Sequence, residues 1–153
     1  MNFPPIPTGP VTIAVNGYII NKVLEDFREK YLPAFEIEIT SRYRSPAENE
    51  AIGGAEYSAH LYNLGRDFVL KDKNGNYLTA ERHKEIYEQF VKPHWENYSS
   101  YNPPKTGKTG WIHVNLDRDI TKKTKYAEFA VTSGTVFLAA KKLFNIITKG
   151  GKK

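Results

Sequence analysis

Two segments of the chain alternate apolar and polar side chains, and this pattern limits the possible folds more than any other feature. In Phe35–Thr40 and Trp111–Leu116 every second residue is apolar, which is typical of a strand with one buried face. A shorter apolar run, Phe68–Leu70, ends at the turn sequence DKNGN and predicts a third strand. Because helical periodicity separates these strands, the sequence predicts an α+β fold with few strands.

Three stretches have the spacing of amphipathic helices. The first begins at Tyr18 and stops at Pro33. The second is capped by Thr79 and spans Ala80–Val91, and the third spans Ser133–Ile147. We expect each helix to pack its apolar side against the core.

The segments between these elements are predicted to be irregular. Four of the first ten residues are proline, which predicts an extended leader. Residues 94–110 combine aromatic side chains with two adjacent prolines and are predicted to form a loop. His83 lies between Arg82 and Lys84 on the polar side of its helix, so we expect it to face solvent.

The chain has 153 residues and no cysteine, which suits one domain with a core of its own. The absence of cysteine excludes thiol nucleophiles, disulfides and cysteine-ligated zinc. Any metal would therefore need His, Asp or Glu ligands. The sequence shows neither the pattern of an export signal nor an apolar run long enough to cross a membrane, so we do not expect export through a signal peptide.

Positive charge is concentrated near the end of the sequence. Residues 1–120 carry 14 basic and 16 acidic side chains, whereas residues 121–153 carry eight lysines and one acidic residue, Glu128. We predict a domain over 1–120 and a basic, helical segment over 121–153. Such a segment suits an anionic cell-wall polymer, a membrane surface or a nucleic acid, and a solvated tail that aids solubility is the alternative.

Three candidate metal ligands lie on or beside predicted strands. His60 and Asp67 flank the entry to the strand at Phe68–Leu70, and His113 lies within Trp111–Leu116. If the two strands are neighbours, two imidazoles and a carboxylate converge on one ion. Three such ligands with one open position characterise a catalytic zinc site, where a water becomes a nucleophile near neutral pH. The alternative is that these histidines are ordinary buried side chains.

Several motifs follow one another in a characteristic order. They are Ser41-Arg-Tyr-Arg-Ser-Pro46, Gly53-Gly-Ala55, Ser58-Ala-His60, Asp67 seven residues on, and Trp111-Ile-His113-Val114. Together they resemble the zinc D-alanyl-D-alanine carboxypeptidase family, which has the Hedgehog-like peptidase fold. The resemblance covers about half of the chain. It implies one small α+β domain in which an antiparallel sheet carries a zinc site and helices flank the sheet.

The resemblance also implies a role for each matching residue. One zinc ion would be bound by His60, Asp67 and His113. Arg44 would bind a substrate carboxylate or the polarised carbonyl oxygen, for which its planar guanidinium is suited. Pairing of Arg44 with Glu48 or Glu50 of the same loop is the alternative.

Three further positions receive supporting roles. Ser58 would orient the loop that carries the first histidine. Tyr43 and Trp111 would contact the substrate.

The sequence departs from the family pattern at two important positions. Asn63 replaces a glycine, and asparagine is the side chain that best tolerates a left-handed backbone. Gly110 stands where many members carry the Glu or Asp that transfers protons. The candidates for this role elsewhere in the chain are His94 and Glu96, and Lys108 is a candidate for stabilising developing negative charge.

The resemblance implies hydrolysis of peptide bonds in peptidoglycan stem or cross-link peptides. Compact members without an export signal are often phage lysis enzymes or virion-borne lysins, which would place the protein in the host cytoplasm before lysis or on the virion. Two alternatives remain at this point. One is a catalytically inactive zinc protein of the same fold with a structural or virion role. The other is a nucleic-acid-binding module that uses the lysine-rich segment, against which the absence of a recognised nucleic-acid-binding motif counts.

Overall fold

A computed structural model describes residues 3–106 and 109–118 of the chain. Its main elements in chain order are α1 (Pro10–Tyr31), β1 (Glu36–Ser41), α2 (Pro46–Ala51), β2 (Gly65–Lys71), α3 (Ala80–Ile86), α4 (Lys92–His94), β3 (Ser99–Asn102) and β4 (Trp111–Asn115). A 3₁₀ turn, Ala59–Tyr62, precedes β2. The predicted helix over Ser133–Ile147 and the predicted segment 121–153 lie outside the described residues.

The four strands form one sheet in the order β1-β2-β4-β3, and every neighbouring pair is antiparallel. The predicted α+β fold with an antiparallel sheet is therefore confirmed. In the register between the two central strands, Asp67 lies opposite His113 and Phe68 lies opposite Ile112. Because side chains alternate along a strand, Asp67 and His113 share one face of the sheet.

The opposite face of the sheet carries the core. Phe68, Leu70, Ile112 and Val114 are fully buried there and belong to one apolar cluster with the buried side of α1. The α1 residues of that cluster are Val15, Ile19, Ile20, Leu24 and Phe27. The helix therefore supports the sheet from behind and leaves the other face for the site.

The first helix begins eight residues earlier than predicted, at Pro10 rather than at Tyr18. Proline suits the first turn of a helix because its missing N–H would have no partner there. The proline-rich leader is therefore shorter than expected. Its described part runs over the 3₁₀ turn, where Tyr62 Oη donates to the carbonyl of Pro4 at 2.7 Å.

The second predicted helix continues beyond its expected end at Val91. After α3, a π-helical turn spans Tyr87–Val91, and α4 carries the helical path to His94. The Lys92 N–H bonds to the carbonyl of Tyr87, which shifts the hydrogen-bond register by one residue. Pro93 then stands at the start of the last helical turn, where it is tolerated.

The expectation that His83 faces solvent is wrong, because this side chain is buried. β2 runs on past Phe68, the last residue that pairs with β4. The Leu70 N–H therefore donates to His83 Nε2 at 2.8 Å, while His83 Nδ1 donates to the carbonyl of Thr79 at 3.0 Å. The imidazole replaces the missing strand partner.

The segment predicted as one loop over residues 94–110 contains β3 at the edge of the sheet. Its sequence, Ser-Ser-Tyr-Asn, has no alternation of apolar residues, so the strand gives no sequence signal. None of the described helices is long and apolar enough to cross a membrane.

Candidate metal centre

Three elements bring the candidate ligands together. His60 lies in the 3₁₀ turn, which begins at Ser58, and the Ser58 hydroxyl accepts a hydrogen bond from the His60 N–H at 3.3 Å. Asp67 and His113 face each other across β2 and β4. The turn is joined directly to β2, so the position of His60 depends on how the chain leaves the turn.

The exit from the turn depends on Asn63. This residue has φ of +56° and is the only described non-glycine residue in the left-handed region. Its side chain donates to the carbonyl of Ile13 at 2.7 Å and accepts from Arg66 at 2.9 Å. The left-handed backbone expected at Asn63 is confirmed. The bond to Ile13 holds the turn against α1, and the bond from Arg66 joins it to β2.

The orientation of His60 follows from its backbone partner. Nδ1 lies 2.6 Å from the carbonyl oxygen of Arg42. A carbonyl can only accept, so Nδ1 carries the proton and Nε2 presents a lone pair. Nε2 is 3.3 Å from Asp67 Oδ1. The nitrogen with the lone pair therefore faces the carboxylate.

The orientation of His113 follows from Asn115. Asn115 Nδ2 donates to the carbonyl of Leu116 at 3.1 Å, which turns Oδ1 of the same amide toward His113. His113 Nε2 lies 3.0 Å from that oxygen and must donate to it. His113 Nδ1 therefore presents its lone pair to Asp67 Oδ1, which is 2.7 Å away.

The three side chains form a set of donors suited to a metal ion. Their ligand atoms lie within 4.8 Å of one another. Without a metal ion, the two nitrogens that face Asp67 can bond to it only when they carry an additional proton. Burial would raise the pKa of Asp67, but hydrogen bonds of that kind from His113 and His60 outweigh it and hold that pKa well below its usual range. With the tautomers set by Arg42 and Asn115, two lone pairs and one carboxylate oxygen face each other. This arrangement fits a divalent cation that prefers nitrogen and oxygen ligands, as zinc does.

Asn115 provides a test of this tautomer argument. We expect Asn115→Ala to weaken zinc binding by about 10–100-fold, as for other outer partners of ligating histidines. Asn115→Asp should keep an acceptor for His113 and bind zinc at least as tightly as the unchanged protein. Competition titration against a chromogenic chelator measures both variants. Equal affinity in all three proteins would mean that Asn115 does not set the His113 tautomer.

Arg44 also lies at the cluster. Its Nη2 donates to Asp67 Oδ2 at 3.3 Å and to the Ser41 hydroxyl at 3.0 Å. It does not pair with a neighbouring glutamate: Glu48, one of the two alternatives, closes a capping box with Ser45. Among the described residues, Arg44 Nη1 and Nε make no hydrogen bond, so they are available to a substrate.

The two residues predicted to contact the substrate, Tyr43 and Trp111, lie close in sequence to Arg44 and His113, respectively. Tyr43 directly precedes Arg44 and is exposed. Trp111 is half-buried and lies two residues before His113, on the same face of β4.

Two further residues lie at the centre. Tyr98 is 62% exposed, and its ring centroid lies 6.0 Å from that of His113. Asn115, two residues after His113, was missed by sequence reasoning, although strand alternation puts both on the same side of β4. For Tyr98 the sequence indicates only an aromatic residue that could line a groove, because the edge strand that follows it was not predicted.

The two described candidates for proton transfer, His94 and Glu96, are not brought into the cluster. His94 stacks on Tyr31 of α1 with ring centroids 4.4 Å apart, and its Nδ1 donates to the carbonyl of Phe90. The helical path continues through Pro93, which takes His94 to the helix layer. Glu96 is exposed and is not among the described residues that contact the cluster. Lys108 lies outside the described residues.

Gly110 occupies a position with no room for a side chain. A Cβ atom there would lie 2.8 Å from the carbonyl oxygen of Asn102 and 2.9 Å from the ring of Pro104. The backbone before β4 packs directly on these two residues. A carboxylate side chain at position 110 would therefore require this segment to move.

The fold and the cluster define a small α+β domain with a three-residue candidate metal site on its sheet. Residues 12–98 match the family model of peptidase M15, which covers more than half of the chain. The chain belongs to the peptidase M15 family, whose members are zinc-dependent peptidases. No curated protein and no solved structure matches it. His113 lies beyond the matched residues, so its place in the site rests on the pairing of β4 with β2.

Proposed function

We propose that this protein is a zinc peptidase that hydrolyses peptide bonds in the stem or cross-link peptides of peptidoglycan. The observation that carries the proposal is the convergence of His60 Nε2, Asp67 Oδ1 and His113 Nδ1 in a chain of the peptidase M15 family. The substrate class follows from the resemblance of the motifs to D-alanyl-D-alanine carboxypeptidases.

The residues present fit a zinc ion held by His60, Asp67 and His113. When bound, zinc supplies a nucleophilic water near neutral pH and polarises the carbonyl group that is attacked. The protein contributes the orientation of its ligands through Arg42 and Asn115. Since the cluster is largely buried, charges that develop there are stabilised more strongly than they would be in water.

In this proposal Arg44 binds the substrate. Its guanidinium is anchored by Asp67 and Ser41 through one nitrogen, which leaves two donors for a carboxylate or for a developing oxyanion. Tyr98, Tyr43 and Trp111 offer aromatic surface near the cluster. These side chains would hold the peptide while its carbonyl group lies at the site.

We expect Arg44→Ala to keep bound zinc and to lower kcat by about 100-fold or more, the usual effect of removing one oxyanion donor. Arg44→Lys keeps the charge but loses the planar pair of donors, so it should recover only part of the rate. Steady-state kinetics and elemental analysis of the same preparations separate the two effects. Unchanged kcat in Arg44→Ala would remove this residue from the active site.

A paired measurement tests the proposed function. Zinc content is determined by elemental analysis, and release of new amino groups from purified peptidoglycan is followed with and without a chelator. We expect about one zinc ion per chain and release that stops with the chelator and returns with added zinc. Bound zinc with no release from several types of cell wall would contradict the proposal.

One observation favours a second function, that of a zinc protein without hydrolytic activity. Position 110 cannot hold the usual carboxylate without movement of the backbone, and no carboxylate other than Asp67 belongs to the cluster among the described residues. In that case the metal would serve stability or assembly. Zinc removal would then lower the melting temperature, while no peptide would be cleaved.

We further propose that the basic residues 121–153 bind a second, anionic partner. Eight lysines against one glutamate would attract an anionic wall polymer or membrane surface and keep the peptidase near its substrate. A role in phage lysis or entry belongs to the same proposal. Deletion of 121–153 should weaken sedimentation with cell walls at low salt and leave cleavage of soluble peptides unchanged.

A further inference from the structure

A cavity of about 300 Å³ lies at the end of the sheet where β2 and β4 stop pairing, a few residues along the chain from the metal-ligand cluster. Three of its lining residues adjoin the cluster along the chain. Thr40 precedes Ser41, the partner of Arg44; Val69 follows Asp67 by two residues on the same strand; and Gly110 precedes His113 by three. The cavity therefore lies a few residues from the candidate site along β1, along β2 and along the chain that leads into β4.

The cavity exists because β2 is longer than its pairing with β4. Phe68 is the last β2 residue with a partner in β4. Beyond it, Leu70 bonds through its N–H to His83 and through its carbonyl to the Leu78 N–H. The segment 78–83 thus replaces β4 beside this end of β2. The remaining space between that segment and the chain before β4 forms the cavity.

The lining of the cavity is mostly apolar. Its apolar residues include Val69, Leu78, Ala80, Tyr101 and Pro104. Glu38 is the only carboxylate among the described lining residues, and it is neutralised by an ion pair with Lys71 and a hydrogen bond from the Tyr77 hydroxyl. Both nitrogens of His83 are already bonded within the protein. No described charged group is free to bind a charged ligand there.

We propose that this cavity is a subsite for the uncharged, aliphatic side chain of a substrate residue next to the cleaved bond. The inference rests on the proposed peptidase function. A step of two residues along β2, about 6.6 Å, separates Asp67 from Val69, and successive Cα atoms of a peptide are 3.8 Å apart. A bond held at the cluster therefore brings the side chain one or two residues away over the cavity. The volume lies at the low end for ligand pockets, about 300–1,000 Å³, so it suits a side chain rather than a sugar chain.

Ala80→Leu tests this subsite. Ala80 lines the cavity and contributes its backbone carbonyl to a hydrogen bond from the Tyr101 hydroxyl, which the substitution leaves in place. The larger side chain would occupy part of the cavity. Ala47→Leu, at an exposed position in the first turn of α2, is the matched control. Circular dichroism and zinc content confirm that each variant is folded and loaded.

Zinc-loaded proteins are compared on stem peptides that carry glycine, alanine, valine or leucine next to the cleaved bond. In the unchanged protein we expect kcat/KM to increase with the size of this side chain. In Ala80→Leu the leucine-to-alanine ratio should fall by about tenfold or more, which corresponds to the loss of a few methylene contacts. Ala47→Leu should keep the original ratio. The same ratio in all three proteins would overturn the subsite.

Calorimetric binding of the same peptides separates this inference from the proposed function. If no peptide is cleaved but the size preference in binding still falls in Ala80→Leu, the subsite stands and the hydrolytic function fails. If peptidoglycan is cleaved and side-chain size has no effect on binding or on kcat/KM, the function stands and the subsite is overturned. If no peptide binds, the subsite is overturned whether or not peptidoglycan is cleaved.

Discussion

Substituting either histidine of the cluster, His60→Ala or His113→Ala, is expected to abolish stable zinc binding and with it all peptide hydrolysis. Each substitution removes one of only three protein ligands and leaves Asp67 with a single imidazole neighbour. The loss of affinity should exceed the effect of about 10–100-fold that follows from removing an outer partner such as Asn115. Zinc content after dialysis, measured by elemental analysis, should fall from about one ion per chain to a small fraction.

His94→Ala is the matched control for this experiment. His94 is exposed and stacks on Tyr31 outside the cluster, so its removal should leave zinc content unchanged. Circular dichroism of all variants excludes unfolding as the cause of metal loss. Full zinc occupancy in both His60→Ala and His113→Ala would refute the assignment of the site. Loss of zinc from His94→Ala as well would show that the metal is bound elsewhere.

Gly17→Ala is expected to destabilise the protein by about 2–3 kcal/mol, the upper range for overpacking a buried contact. Alanine normally stabilises a helix interior by about 1 kcal/mol relative to glycine, so the expected sign is the reverse of helix propensity. A Cβ atom at Gly17 would overlap the side-chain amide nitrogen of Asn63, far inside van der Waals contact. Asn63 cannot move aside without losing its bonds to Ile13 and Arg66. Urea unfolding of the zinc-loaded protein measures the change.

Ala14→Gly, at an exposed position of the same helix, provides the comparison. It should lower the free energy of unfolding by about 1 kcal/mol through helix propensity alone. In an Asn63→Gly background the clash disappears and the backbone keeps a residue that accepts positive φ. Gly17→Ala should then cost much less, which a double-mutant cycle reports as coupling between the two sites. A stabilising Gly17→Ala in the original background would contradict the packing argument.

Arg66 explains why Asn63 cannot move to make room for a Cβ atom at Gly17. Its side chain is on the core face of β2, only 2% exposed, and burial followed by the charge of Arg42 lowers its pKa to about 10. It bonds to Asn21, Asn63 and the backbone carbonyls of Gly17 and Gly65. A buried cation is tolerated only when its donors are bonded. These bonds tie α1 to the turn that carries His60, so helix packing and the metal site depend on the same few residues.

Much of the fold could be predicted from local patterns. Alternation in Phe35–Thr40 and Trp111–Leu116 reflects the two faces of a sheet, and that period of two is a property of the strand itself. The helical stretches were also found from a local pattern, the spacing of apolar residues along a helix. Their ends differ from the prediction, because the first helix begins at Pro10 and the second continues to His94. These ends depend on a proline at a first turn and on a π-helical turn, neither of which apolar periodicity detects.

The sequence by itself determined the class of fold, the order of the motifs and three candidate ligands, because residue type, spacing and alternation are local properties of a chain. Only the tertiary structure decided that β4 pairs with β2, which places His113 opposite Asp67 although 46 residues separate them. It also decided the two histidine tautomers, the burial of His83 and the lack of space at Gly110. Each of these depends on a partner distant in sequence, and such contacts form only when the whole domain is packed.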